Sequence, residues 1–142
     1  MTPEEFLKPR FIVILPWPNG SYERGQVCDV FESDGKLKLC GDSKIEPEKW
    51  LSHFRKAKWY EHRTIEQLTS IKYMRILEGK SNYYVPGDIV EVKGMTYNNP
   101  VLVNGEHNIL FDLKGHHFPA SQLEPATKQQ YETWENYLKQ KQ

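Results

Sequence analysis

A pattern in the first half of the chain returns in the second half at one fixed spacing. With Phe11 placed on Tyr73, Tyr22 falls on Tyr84, Gly25 on Gly87, Val27 on Ile89, Cys28 on Val90, Asp29 on Glu91 and Val30 on Val92, all at an offset of 62 residues. Farther along the offset grows to 64, with Phe54 on Phe118 and Trp59 on Leu123, as a two-residue difference in loop length would produce. A period this long is a whole supersecondary unit, not one turn of a solenoid. A chain of 142 residues is then expected to divide at 1–63 and 64–142.

Both halves carry the marks of short strands. "RFIVILP" is a β-branched run that stops at prolines, "QVCDVFE" follows, and "KLKLC" returns after Asp34-Gly35, a pair suited to a two-residue hairpin. The second half offers "IKYMRILE", "DIVEVKG", "PVLVNG" and "NILFDLKG", with turns at Asn98-Asn99-Pro100 and Asn104-Gly105. Between the halves, Pro47 can open a helical turn, and Trp50, Leu51 and Phe54 have helical spacing. Thr64 to Leu68 is expected to be a short turn. The C-terminal "TKQQYETWENYLKQ" predicts an amphipathic helix, capped by Thr127 with Gln130 closing a capping box. Its apolar face would be Tyr131, Trp134 and Leu138, packed on the second unit.

"VPGDIVEVKG", followed by hairpins and "HHFPASQLEPAT", resembles a small SH3-like barrel. The ending drops Phe118 inward, turns, and returns Leu123. The first half has "ERGQVCDVF" and "HFRKAKWYEHR" in the corresponding places and lacks the Pro-Gly entry. The arrangement is also similar to small proteins encoded by phages and prophages, many of them uncharacterised. The resemblance implies a mainly β fold: two related small SH3-like β-barrel units with short helices and a C-terminal helix. It implies no particular function, because such barrels serve many.

Charge and composition exclude some roles. Nineteen basic and nineteen acidic residues cancel, so no overall charge draws the chain to nucleic acid or a membrane. "MTPEEFLKPR" has no apolar stretch of the secretory kind, and "FIVILP" is far too short to span a bilayer. A soluble protein of the cytoplasm is expected, the host cytoplasm if phage-encoded, with a virion as the other location.

Chemistry is scarce. Ser21, Ser52 and Ser121 lack a nucleophile-elbow sequence, and no Gly-rich phosphate loop appears. Adjacent His116 and His117 on a strand point to opposite faces. Cys28, Cys40, His53 and His62 could in principle bind zinc, but eleven residues separate the cysteines where a structural knuckle has two to four. The chain is therefore read as no enzyme, with no metal and no cofactor.

What remains is binding. Trp17, between prolines in "LPWPNG", with Tyr22, Tyr83 and Tyr84 beside the entry turns, are the candidates for contact with a protein partner or for self-association. Tyr84 has a counterpart in Tyr22 and is assigned to packing. Tyr83 has none and is the better candidate for contact. The alternative is nucleic acid, held by Arg55, Lys56, Lys58 and Arg63 with Trp59 and Tyr60 stacking on bases.

Overall fold

The computed structural model describes residues 1–78, 84–97 and 109–141. The chain divides into two compact units, Lys8–Trp59 and Met1–Leu7 with Tyr60–Gln142. The division thus falls four residues before the expected one, and the first seven residues belong with the second unit.

In Lys8–Trp59 the apolar run after Pro9 forms β1 (Arg10–Val13), followed by β2 (Val27–Ser33), β3 (Lys36–Leu39) and β4 (Phe54–Lys56). They make one antiparallel sheet in the order β3-β2-β1-β4, curled but not closed. Strand alternation puts Phe11 and Val13 on the same face. Cys28 lies opposite Phe11, and Phe54 lies opposite Val13. These four, with Tyr22, Leu39 and Ile45, form the buried core, and Trp17, Val30 and Leu37 pack at its edge. Asp34 and Gly35 turn β2 into β3 with φ of 54° and 76°, the two positive values of the expected tight hairpin. Arg10 is buried, and its guanidinium donates to the carbonyls of Lys58 (3.0 Å) and Trp59 (3.4 Å), which ties the end of this unit to its beginning.

The other unit starts with α1 (Pro3–Leu7) and continues from Tyr60 through α2 (Ile65–Thr69), β5 (Tyr73–Ile76), β6 (Ile89–Glu91), β7 (Gly94–Tyr97), β8 (Ile109–Leu113), β9 (His116–Pro119), β10 (Leu123–Ala126) and α3 (Lys128–Gln140). Its strands form two three-stranded sheets, β10-β5-β6 and β7-β8-β9. Met74, Ile76, Val90, Phe111, Leu113, Phe118 and Leu123 are buried. Phe6 of α1 is buried as well, with the Arg63 guanidinium 5.0 Å from its ring centre and donating to its carbonyl at 3.3 Å.

Among the described residues the fold is therefore mixed α/β, with three open sheets and three α-helices. The expectation was a mainly β pair of small SH3-like barrel units with short helices and a C-terminal helix; the β-rich units and the helices are present, and the sheets are open. The expected strand "DIVEVKG" breaks after Glu91, because Val92 and Lys93 turn the chain from β6 into β7. Thr64 to Leu68 is helical rather than a simple turn: Thr64 caps α2 through a capping box with Gln67. Trp50, Leu51 and Phe54 share no helix. The helical turn opened by Pro47 is a 3-10 turn ending at Lys49, and Phe54 already lies in β4. The strand expected at "PVLVNG" and both asparagine turns lie outside the described residues.

The register behind the 62-residue spacing is visible in part. Gly25 N–H donates to Val13 O at 2.7 Å, and Gly87 N–H donates to Ile76 O at 2.7 Å. Val13 N–H and Ile76 N–H return bonds to Gln26 O (3.0 Å) and Asp88 O (2.8 Å). Both glycines need positive φ, 89° and 100°, where a side chain would strain the backbone. Ile76 thus answers Val13 at a spacing of 63, so Phe11 corresponds to Met74 and not to Tyr73. In the same way Phe54 faces Val13 as Leu123 faces Ile76, so the expected matches of Phe54 with Phe118 and Trp59 with Leu123 do not hold.

Helix α3 is capped as expected: Thr127 Oγ1 accepts from Gln130 N–H at 3.0 Å, and Gln130 Oε1 accepts from Thr127 N–H at 2.8 Å. Only its first half docks closely. Tyr131 stacks on Tyr73 with ring centres 4.5 Å apart, whereas Trp134 is half-buried and stacks on Tyr137 of its own helix. Phe54→Ala is expected to lower stability by about 3–5 kcal/mol, as for a fully buried aromatic. Trp134→Ala should cost less than half as much, since part of that ring is already in water. Urea denaturation of the two variants checks the order.

Candidate functional site

Two aromatic side chains at the surface of the Lys8–Trp59 unit, Trp50 and His53, meet Trp17. After β1 the chain runs through Ile14 and Leu15, whose N–H groups both donate to His53 O, at 2.8 and 3.3 Å. His53 Nδ1 lies 3.2 Å from Leu15 O, so this nitrogen donates to that carbonyl. Trp17 follows, held by its N–H on Tyr22 O (3.3 Å) and by Gly20 N–H on its own carbonyl (2.9 Å). From the other direction, the 3-10 turn at Pro47 delivers Trp50, whose carbonyl accepts from His53 N–H (2.9 Å) and Phe54 N–H (3.0 Å).

These bonds bring three rings together. Trp17 meets Trp50 edge to face at 5.4 Å and 89°, and His53 at 5.1 Å and 65°. Beneath them lies the core ring of Phe54, 5.7 Å from Trp17. Trp17 is half-buried, but Trp50 is 46 % exposed and its neighbour Leu51 67 % exposed. Leu15 and Ile14 are exposed too. Large apolar groups held in fixed geometry and left in water are what a recognition surface presents. Nearby, Lys49 Nζ pairs with Glu46 at 2.6 Å, and its hydrogen bond holds the Glu46 carboxyl below its ordinary range.

The other sequence candidates lie elsewhere. Tyr22 is buried against Phe54 at 6.2 Å; burial, then the charges of Asp42 and Cys28, raise its phenol above the ordinary range. It supports Trp17 from inside and presents no surface. Tyr84 is half-buried, edge-on to His116 at 5.7 Å, and its hydroxyl donates to Leu113 O at 3.4 Å. Tyr83 lies outside the described residues. Of the basic segment, Lys56 and Lys58 are exposed, while Arg55 and Trp59 are half-buried. Tyr60 is only 4 % exposed, and Arg63 is engaged with Phe6. Trp50 and His53 were not among the binding candidates of the sequence, where Trp50 entered only for its helical spacing with Leu51 and Phe54.

The arrangement offers apolar contact, without a nucleophile-and-base pair. Among the described residues no group of three His, Cys, Asp or Glu could hold a metal ion. No helix among them is long and apolar enough to cross a membrane. Compared with family models, curated proteins and solved structures, the chain matches none. No relative therefore ties it to phage proteins or to tandem SH3-like units.

The two cysteines differ sharply. Cys28 is buried, and burial, with the charge of Asp29 in second place, raises its thiol above the ordinary value of 9.0; Cys40 is exposed. Iodoacetamide at pH 8 should therefore alkylate Cys40 in the native protein and spare Cys28, and should modify both in urea. Peptide mass spectrometry reads the result. A raised thiol pKa also means that stability linked to Cys28 is present below its unfolded pKa and declines as pH rises above it.

Proposed function

We propose that the chain is a non-catalytic protein-interaction module that anchors an apolar segment of a protein partner on the corner formed by Trp17 and Trp50. The observation that carries this reading is the exposure of Trp50 and Leu51 beside a tryptophan fixed from below by Phe54. A partner side chain seated there would exchange water for two indole faces, and the rings are already oriented, so little ordering accompanies binding.

We also read the two units as variants of one SH3-like plan. What supports this is the paired glycine-to-strand hydrogen bonds and the shared order of three strands, β4-β1-β2 and β10-β5-β6. An accessory or structural role in a larger assembly, such as a virion, is one form of the same activity. The nucleic-acid reading has less to rest on, because Tyr60 is buried and Arg63 serves Phe6.

The test is capture from the natural source by wild-type protein and by Trp50→Ser, each with and without nuclease. Proteins should be retained by the wild type, lost with Trp50→Ser, and unaffected by nuclease. The substitution itself should change stability by less than about 1 kcal/mol, as for an exposed position. Retention of the same proteins by Trp50→Ser would remove the corner from the mechanism. Nuclease-sensitive capture, with affinity falling steeply as salt rises, would put nucleic acid in the partner's place.

A further inference from the structure

A second concavity lies in the unit formed by Met1–Leu7 and Tyr60–Gln142, where α1 lies against β10 and the chain enters α3. It has a volume of about 420 Å³, within the range of small-molecule sites. Its floor is apolar: Phe6, Ile71, Pro125 and Ala126 are all buried residues that line it, and the Tyr73 ring closes one side. Its rim carries Lys72 and Lys128, both exposed.

Polarity is one-sided. No acidic side chain lines the groove among the described residues. Three of the hydroxyls that line it are engaged within the chain: Ser70 Oγ donates to Gln67 O at 2.6 Å, Thr2 Oγ1 donates to Glu5 Oε1 at 3.1 Å, and Thr127 Oγ1 accepts from Gln130 N–H at 3.0 Å. Lys128 Nζ lies 3.9 Å from Glu132 Oε1, a loose contact between exposed groups that leaves the ammonium able to reach a ligand. The groove also meets the first residue of α3, a helix of thirteen residues whose dipole adds positive potential at that end.

We propose that this groove binds a small anionic amphiphile, a molecule with a linear apolar body and a carboxylate head. The body lies on Phe6, Ile71 and Ala126, and the head sits between Lys72 and Lys128. A cationic head would meet two ammonium groups and the positive end of a helix. A bare inorganic anion would make no use of the apolar lining. Each methylene of the body adds affinity by the transfer of apolar surface out of water, so longer chains bind more tightly until the groove is filled.

Octanoate, octyltrimethylammonium and inorganic phosphate, titrated into the full chain and followed by amide chemical shifts, test the proposal. Octanoate should give saturable shifts centred on Ile71 and Ala126. Octyltrimethylammonium and phosphate should bind at least about tenfold more weakly, as two partly screened charges allow. The double substitution Lys72→Gln with Lys128→Gln lies on exposed positions and should preserve the fold. It should weaken octanoate about tenfold, while Lys72→Arg with Lys128→Arg restores it. Equal binding of octanoate and octyltrimethylammonium, octanoate binding unaffected by the glutamine pair, shifts centred elsewhere, or no saturation would each overturn the proposal. Trp50→Ser should leave octanoate binding unchanged, so this site stands or falls apart from the protein-interaction reading.

Discussion

The bond from a left-handed glycine to the last residue of the preceding strand sets much of what each unit becomes. Gly25 reaches back to Val13, and Gly87 to Ile76. Once that bond closes, the next strand can pair with the first in only one register. A slip of one residue would turn Val13 and Cys28, or Ile76 and Val90, away from the core. The flanking hydrophobic residues then have one face to occupy. A side chain at either glycine would resist the positive φ that aims the N–H, so the constraint acts through the backbone.

From that register follows the position of Phe54. It lies opposite Val13 on β4, at the centre of the Lys8–Trp59 core, and its ring is the surface on which Trp17 rests. The exposed corner is therefore an extension of the core. Tyr22 presses on the same ring from within. Core and surface residues here cannot vary independently: a smaller ring at 54 would leave Trp17 without support, and the corner would lose its geometry before the sheet lost its strands. This coupling is a reason to expect recognition and stability to respond together to changes inside, but separately to changes at Trp50.

Much of the local structure was legible in the chain. Thr127 and Gln130 announced the start of α3, because a capping box is written in two residues three apart. Asp34-Gly35 announced its hairpin for an equally local reason. What resisted reading was tertiary. The one-residue shift between β1 and β5 depends on which side chains the core accepts, and the single offset that put Phe11 on Tyr73 carries no record of it. Closure of the sheets was a matter of strand pairing across long separations, which short alternating segments do not specify. Trp50, Leu51 and Phe54 have helical spacing, yet the turn that Pro47 opens ends at Lys49, and Phe54 belongs to a strand. Tyr22 and Tyr60 looked like surface aromatics because exposure of a lone ring has no sequence mark.

Trp17 stands between Pro16 and Pro18, and this has a kinetic side. Each proline ring fixes its own φ, and Pro18 also keeps Trp17 out of helical conformations. The indole is thus carried on a backbone with few alternatives, even before Tyr22 and Gly20 add their bonds. If the corner anchors a partner as proposed, that partner finds the shape already present and does not wait for a rearrangement. Encounter then depends on diffusion and orientation, while the lifetime of the complex depends on how well the partner fills the corner. Evolution of affinity at this surface would be expected to appear as longer residence, with the speed of arrival left nearly unchanged.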